Sequence, residues 1–102
     1  MMKLAVTYEN GQVFQHFGHC EQFKVYSVEE GSVRSSQVVS AAGSGHGALA
    51  GFLQNLGVDT LICGGIGGGA RTALAQAGIQ LYPGVTGDAD QAAADLLAGR
   101  LE

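Results

Sequence analysis

The residues best suited to chemistry in this chain are His16-Phe17-Gly18-His19-Cys20, its densest group of coordinating side chains, and His46, set between Gly45 and Gly47. Imidazole and thiolate bind borderline and soft metals and suit iron-sulfur or molybdenum-sulfur assemblies, which makes His16 and Cys20 the expected metal ligands. His16, His19 and Cys20 do not have the number or spacing of a four-ligand zinc finger. The same segment also reads as a loop whose histidines are solvated or hydrogen-bonded. His46, with little steric cover and flexible backbone on both sides, is a further expected ligand-binding residue, or an ordinary loop histidine.

A second chemical feature is the stretch from Leu61 to Ala77, with five glycines in the six residues Gly64 to Gly69. An apolar run enters it and an alanine-rich helical pattern leaves it, so it reads as strand, tight turn and helix. Glycine permits positive φ and close backbone approach, and a helix N-terminus offers unpaired N–H groups and partial positive charge. Gly64, Gly65, Gly67 and Gly68 are therefore expected to approach an anionic ligand, or else only to let the helix fold back on its strand. The run lacks the Lys-Ser/Thr ending of a phosphate-binding P-loop. Cys63, at the end of the strand, reads as a small buried hydrophobe, and Arg71 as a solvated charge.

No catalytic residue is assigned. A two-metal hydrolase needs converging carboxylates, and of Glu9, Asp59, Asp88 and Asp90 only Glu9 lies near the end of the first strand. His19 and Cys20, adjacent on an extended chain, point apart, and no third group is placed to orient them.

The elements that must position these residues follow from periodicity. Lys3–Tyr8, Phe23–Val28 and Val33–Val39 read as strands, with Asn10-Gly11 and Glu29-Glu30-Gly31-Ser32 as turns and Val13-Phe14 as a short extension. Leu49, Phe52, Leu53 and Leu56 form one helical face. Strand Asp59–Cys63, a helix over Gly69–Ala77, strand Ile79–Tyr82 and a helix over Asp88–Ala98 follow, and Gly57, Gly78 and Gly99 recur at equal spacing as helix caps. The order β-β-β-α-β-α-β-α predicts an α/β domain with a mixed five-stranded sheet, an antiparallel meander running into parallel strands. Ribonuclease H-like topology is its natural form. His16, His46 and the glycine run would then share one mouth beyond the carboxyl ends of the strands.

The chain's 102 residues suffice for one domain, residues 1–102, with a real core. A net charge of −4 and five scattered basic residues leave no basic patch, which argues against nucleic-acid binding. No apolar run reaches membrane-spanning length and no signal peptide opens the chain, so a cytoplasmic protein without membrane attachment is expected, with Cys20 and Cys63 as free thiols.

Taken jointly, His16-Phe17-Gly18, Phe23, Tyr26, Gly45-His46-Gly47 with Leu49 and Leu53, Gly57-Val58-Asp59, Gly64-Gly65-Ile66-Gly67, Gly78-Ile79, Tyr82, Gly84-Val85, Gly87 and Gly99-Arg100-Leu101 carry a resemblance. The pattern resembles the dinitrogenase iron-molybdenum cofactor biosynthesis family, similar to the nitrogenase accessory factor domain, over essentially the whole chain. The resemblance implies a three-layer ribonuclease H-like fold without nuclease activity. It further implies non-covalent binding or carriage of an iron-sulfur or iron-molybdenum type cluster, with His16 as the leading ligand and cluster-donor or cluster-acceptor proteins as partners. The contrasting expectation, from another class, is a small-molecule or phosphate-binding regulatory module that uses the Gly64–Gly69 turn.

Overall fold

The computed structural model describes residues 2–17, 20–41 and 49–100. Along the chain come β1 (Met2–Glu9), β2 (Gln12–Val13), β3 (Gln22–Glu29), β4 (Ser32–Ser40), α1 (Leu49–Asn55), β5 (Thr60–Ile62), α2 (Gly68–Gln76), β6 (Gln80–Tyr82) and α3 (Ala89–Leu97). The sheet runs β4-β3-β1-β5-β6, with the two-residue β2 paired to β1 beside that path. Pairing is antiparallel for β1/β3 and β3/β4 and parallel for β1/β5 and β5/β6. This is the mixed five-stranded sheet expected, with the Val13 extension realised as the extra strand β2.

β1 is the axis of the sheet. Leu4, Ala5, Val6 and Thr7 are all fully buried, because β1 has helices on both faces and strands on both edges. Leu4 and Val6 join Tyr26, Val28, Ile62, Ala89, Ala92 and Ala93 in the core under α3. On the other face Ala5 joins Phe17, Phe23, Val25, Leu49, Leu53, Leu61 and Leu74 under α1 and α2. Complete burial of a Leu or Phe side chain stabilises by roughly 1.5–3 kcal/mol, so these two layers set the fold.

Both hairpins turn through left-handed backbone. Asn10 (φ 51°) and Gly11 (φ 84°), then Glu30 (φ 53°) and Gly31 (φ 77°), have the paired positive φ of a type I′ turn, whose twist matches that of the flanking strands. The three helices all close in the same way. The amides of Val58, Ile79 and Arg100 reach back to the carbonyls of Leu53, Leu74 and Asp95, while those of Gly57, Gly78 and Gly99 bond to Gln54, Ala75 and Leu96. That double closure is the Schellman motif, and the left-handed φ of the three glycines (79°, 76° and 76°) permits it. At the first two helices an apolar residue follows the glycine. At α3 the follower is Arg100, whose guanidinium instead pairs with Asp95 at 2.8 Å.

Candidate functional site

Three loops meet where the parallel strands β1, β5 and β6 end. Residues 14–17 lie along residues 64–65: Gly65 N–H donates to the Gln15 carbonyl at 2.6 Å, and Phe17 N–H donates to the Gly65 carbonyl at 3.0 Å. His16 and Gly65 thereby form a parallel bridge. The loop after β6 is bound in as well, through Gly84 N–H to Gly64 O (2.9 Å) and Val85 N–H to Cys63 O (3.0 Å). Gln15 spans the junction, its Nε2 donating to the carbonyls of Val13 (2.9 Å) and Val85 (3.2 Å).

The segment before His16 is anchored from β1, where Thr7 accepts the Phe14 amide (2.9 Å) and donates its hydroxyl to the Phe14 carbonyl (2.8 Å). Beyond His16, Phe17 is 2% exposed and meets Phe23 edge-on at 6.1 Å. Between these anchors His16 is exposed, its ring edge-on to Phe14 at 6.2 Å. Fixed backbone on both sides holds the exposed imidazole in place at the rim of the sheet end. A cleft of about 190 Å³ lies beside it, lined by Glu9, Gln12, Val13, Phe14 and Gln15.

The glycine run divides into two parts with different physical reasons. A Cβ on Gly64 would stand 2.7 Å from the Gln15 Cα, and one on Gly65 would stand 3.0 Å from the Gln15 carbonyl oxygen. These two glycines exist so that the loops can touch. Gly67, Gly68 and Gly69 face open space. Gly67 is the N-cap of α2 and, having no side chain, leaves the first-turn amides without a side-chain acceptor. Of the two freedoms glycine offers, this run uses close approach, at Gly64 and Gly65, and the left-handed glycines lie elsewhere, in turns and helix closures.

The two cysteines are inside the protein. Cys20 is 5% exposed, packs in the core with Phe17 and Phe23, and its Sγ donates to the Gln22 carbonyl at 2.8 Å. Burial, partly offset by backbone hydrogen bonds, pushes its thiol up from the ordinary range. In this conformation the Cys20 thiol is turned inward to the Gln22 carbonyl, while His16 is exposed. Cys63 is fully buried, as expected, and burial pushes it up to about 11 against the opposing charge of Arg71. Arg71 is exposed in the first turn of α2.

His46 lies outside the described residues, as does His19. Among the described residues no group of three or more His, Cys, Asp or Glu side chains is placed to hold a metal ion. Gln15, which ties the three loops together, went unnoticed in the sequence because an amide in a polar loop carries no signal of its own. The larger concavity is elsewhere, a groove of about 610 Å³ between β3, β4 and α3. At its edge Asp90 accepts from Lys24 Nζ and Tyr26 Oη, each at 2.7 Å, a network equally invisible in the sequence.

Similar proteins match this chain over nearly its whole length. A protein of Methanocaldococcus jannaschii, MJ0580, is 31% identical over 107 residues, spanning 100% of this chain and 91% of its own. The crystal structure of PH0822 superposes with a TM-score of 0.93 at 27% identity, covering 99% of this chain and 93% of that one. The apo form of the orange protein from Desulfovibrio gigas superposes with a TM-score of 0.86 at 27% identity, covering 100% and 92%. The sequence profile of the dinitrogenase iron-molybdenum cofactor family matches residues 1–99, and the chain belongs to that family.

Proposed function

We propose that this protein binds and carries an iron-sulfur or iron-molybdenum type cluster at the rim formed by residues 14–17 and Gly64–Gly69, without catalysing a reaction. The observation that carries this reading is the position of His16, exposed and held on a backbone bridge to Gly65, two residues before the uncapped N-terminus of α2. A soft or borderline metal edge suits the imidazole, and the anionic body of a cluster suits open amides at a helix start. His16 would be the leading protein ligand, and the rest of the hold on the cluster would be non-covalent contact with the rim. His46 is a second proposed contact. Cys20 would join only after its thiol left the Gln22 carbonyl.

Family membership supports a role in metallocluster assembly; donor or acceptor proteins as partners and the cytoplasm as the location belong to the same proposal. A meander of β1, β3 and β4 leading into parallel β5 and β6, with helices on both faces, supports reading the fold as ribonuclease H-like.

Anaerobic reconstitution with iron, sulfide and molybdate, followed by visible absorption and metal analysis, tests the proposal. The wild type should become coloured and retain metal through gel filtration. His16→Ala should bind more weakly while its unfolding free energy changes by under about 0.5 kcal/mol, as for an exposed loop position. Colourless, metal-free wild type in every mixture sinks the reading, and equal binding by His16→Ala removes His16 from it. The open glycines Gly67 to Gly69 favour one second reading, a phosphate-binding regulatory module. Calorimetric titration with inorganic phosphate and nucleotides separates the two, because phosphate binding should be insensitive to His16.

A further inference from the structure

β4 is an edge strand of nine residues, and all but Val39 are exposed. Such an edge offers unpaired N–H and C=O groups to another strand. Val33 (44%) and Val38 (46%), the large apolar side chains that stand out as exposed among the described residues, both lie on it.

The register with β3 shows how these two valines are arranged. Val33 sits opposite Val28, Ser36 opposite Tyr26, and Val38 opposite Lys24. Residues 28, 26 and 24 alternate along β3, so their partners occupy consecutive rungs on one face of the sheet, the α3 face, where Tyr26 and Val28 are buried. The irregularity between Ser27 and Val28 takes Arg34 out of the ladder, which leaves Ser36 midway between Val33 and Val38.

All three of these rungs carry outward backbone groups. Ala41 N–H donates to the Glu21 carbonyl, so the Ala41/Glu21 pair is hydrogen-bonded. Antiparallel pairs alternate, and Val38/Lys24 and Ser36/Tyr26 are therefore non-bonded pairs whose β4 amides turn away from β3. Glu29/Ser32 closes a two-residue hairpin with a bonded pair, which makes the next pair, Val33/Val28, non-bonded as well.

We propose that β4 pairs antiparallel with β4 of a second copy of this chain, about a two-fold axis at Ser36 perpendicular to the sheet. Symmetry then sets Val33 of each copy opposite Val38 of the other, on the same face. Ser36 meets its own copy, and each of the three rungs exchanges a pair of N–H···O=C bonds. The edge is complementary to itself, as a two-fold interface requires. β4 carries no carboxylate, and Arg34, its one charged residue, is out of the ladder, so no like charges face each other across the rungs.

Sedimentation equilibrium of the full chain from micromolar to millimolar concentration tests this. The wild type should move from monomer to dimer mass. Ser36→Pro removes only an outward N–H, which an edge strand tolerates, and Val38→Lys places a charge on the rung. Each should weaken the dimer at least roughly tenfold with circular dichroism unchanged; melting should be unchanged for Ser36→Pro and slightly lowered for Val38→Lys, which stands opposite Lys24. A wild type that stays monomeric throughout overturns the proposal and leaves the edge to a strand of another protein. A dimer unmoved by Val38→Lys overturns it too.

Discussion

Gly64 lies so close to Gln15 that a Cβ built on it would stand 2.7 Å from the Gln15 Cα and 2.7 Å from its Oε1. One of these atoms is backbone and cannot swing aside. Gly64→Ala must therefore push the 14–17 loop off the sheet end, and urea unfolding should show a loss of about 1–3 kcal/mol, as for an overpacked core site. Gly68→Ala meets open space in a helical first turn and should be neutral or stabilising by up to about 1 kcal/mol. Equal effects of the two would mean that the loops do not touch as described.

Gly78 tests the helix closures separately. A Cβ there meets nothing within 4 Å, so only its left-handed φ of 76° resists a side chain. Gly78→Ala should cost about 1–2 kcal/mol, and Gly78→Asn distinctly less, since Asn tolerates that region. Thermal melts of the two variants check the order.

The thiols should be shielded in the folded protein. Cys63 is raised to about 11 by burial, and Cys20 is raised by the same cause. Near neutral pH both should react slowly with a thiol reagent and at the ordinary rate in denaturant. An acid whose pKa is higher in the folded than in the unfolded state favours unfolding once the unfolded thiol ionises. Stability should therefore fall as pH rises from about 8.5, the unfolded value, towards 11. Cys63→Ser should flatten that slope.

Asp90 acts in the opposite sense. The Lys24 ammonium, with help from the Tyr26 hydroxyl, holds its carboxyl below the usual range. Its contribution is present above the unfolded value near ~3.9 and is lost as pH falls through the lower folded value. The carboxylate side chain is 66% exposed, so screening limits the contribution to below about 1 kcal/mol. Asp90→Asn should flatten the acid limb of the stability curve by that amount. Burial and Asp90 together keep the Tyr26 hydroxyl protonated well above its normal range, so phenolate absorbance from Tyr26 should appear only on unfolding.

The parts of this fold that could be read in the sequence are those decided within a few residues. Gly57, Gly78 and Gly99 announce the helix ends because a Schellman closure needs a left-handed residue at a fixed place. Asn10-Gly11 announces its hairpin for the same reason, and the alternation in Lys3–Tyr8 announces a strand. The glycine run was legible as a turn, but its reason was not: Gly64 and Gly65 answer to Gln15, a residue distant in sequence. Cys20 follows two histidines in the sequence, but its packing with Phe17 and Phe23 and its hydrogen bond to the Gln22 carbonyl depend on the folded sheet and are not announced there. Lys24, Tyr26 and Asp90 become a network only when α3 docks on β3, and nothing local foretells that.

The central position of β1 has a consequence for the order of assembly. Its hairpin partner β2 and its long partner β3 follow early in the chain, but its other edge waits for β5, whose Thr60 pairs with Leu4. During synthesis and refolding the four N-terminal strands can come together early while the central strand keeps one side open. A chain stopped after β4 would hold that open side permanently and should aggregate rather than fold. The later strand-helix units thus act as an internal seal, and the folding rate should be set by the arrival of β5.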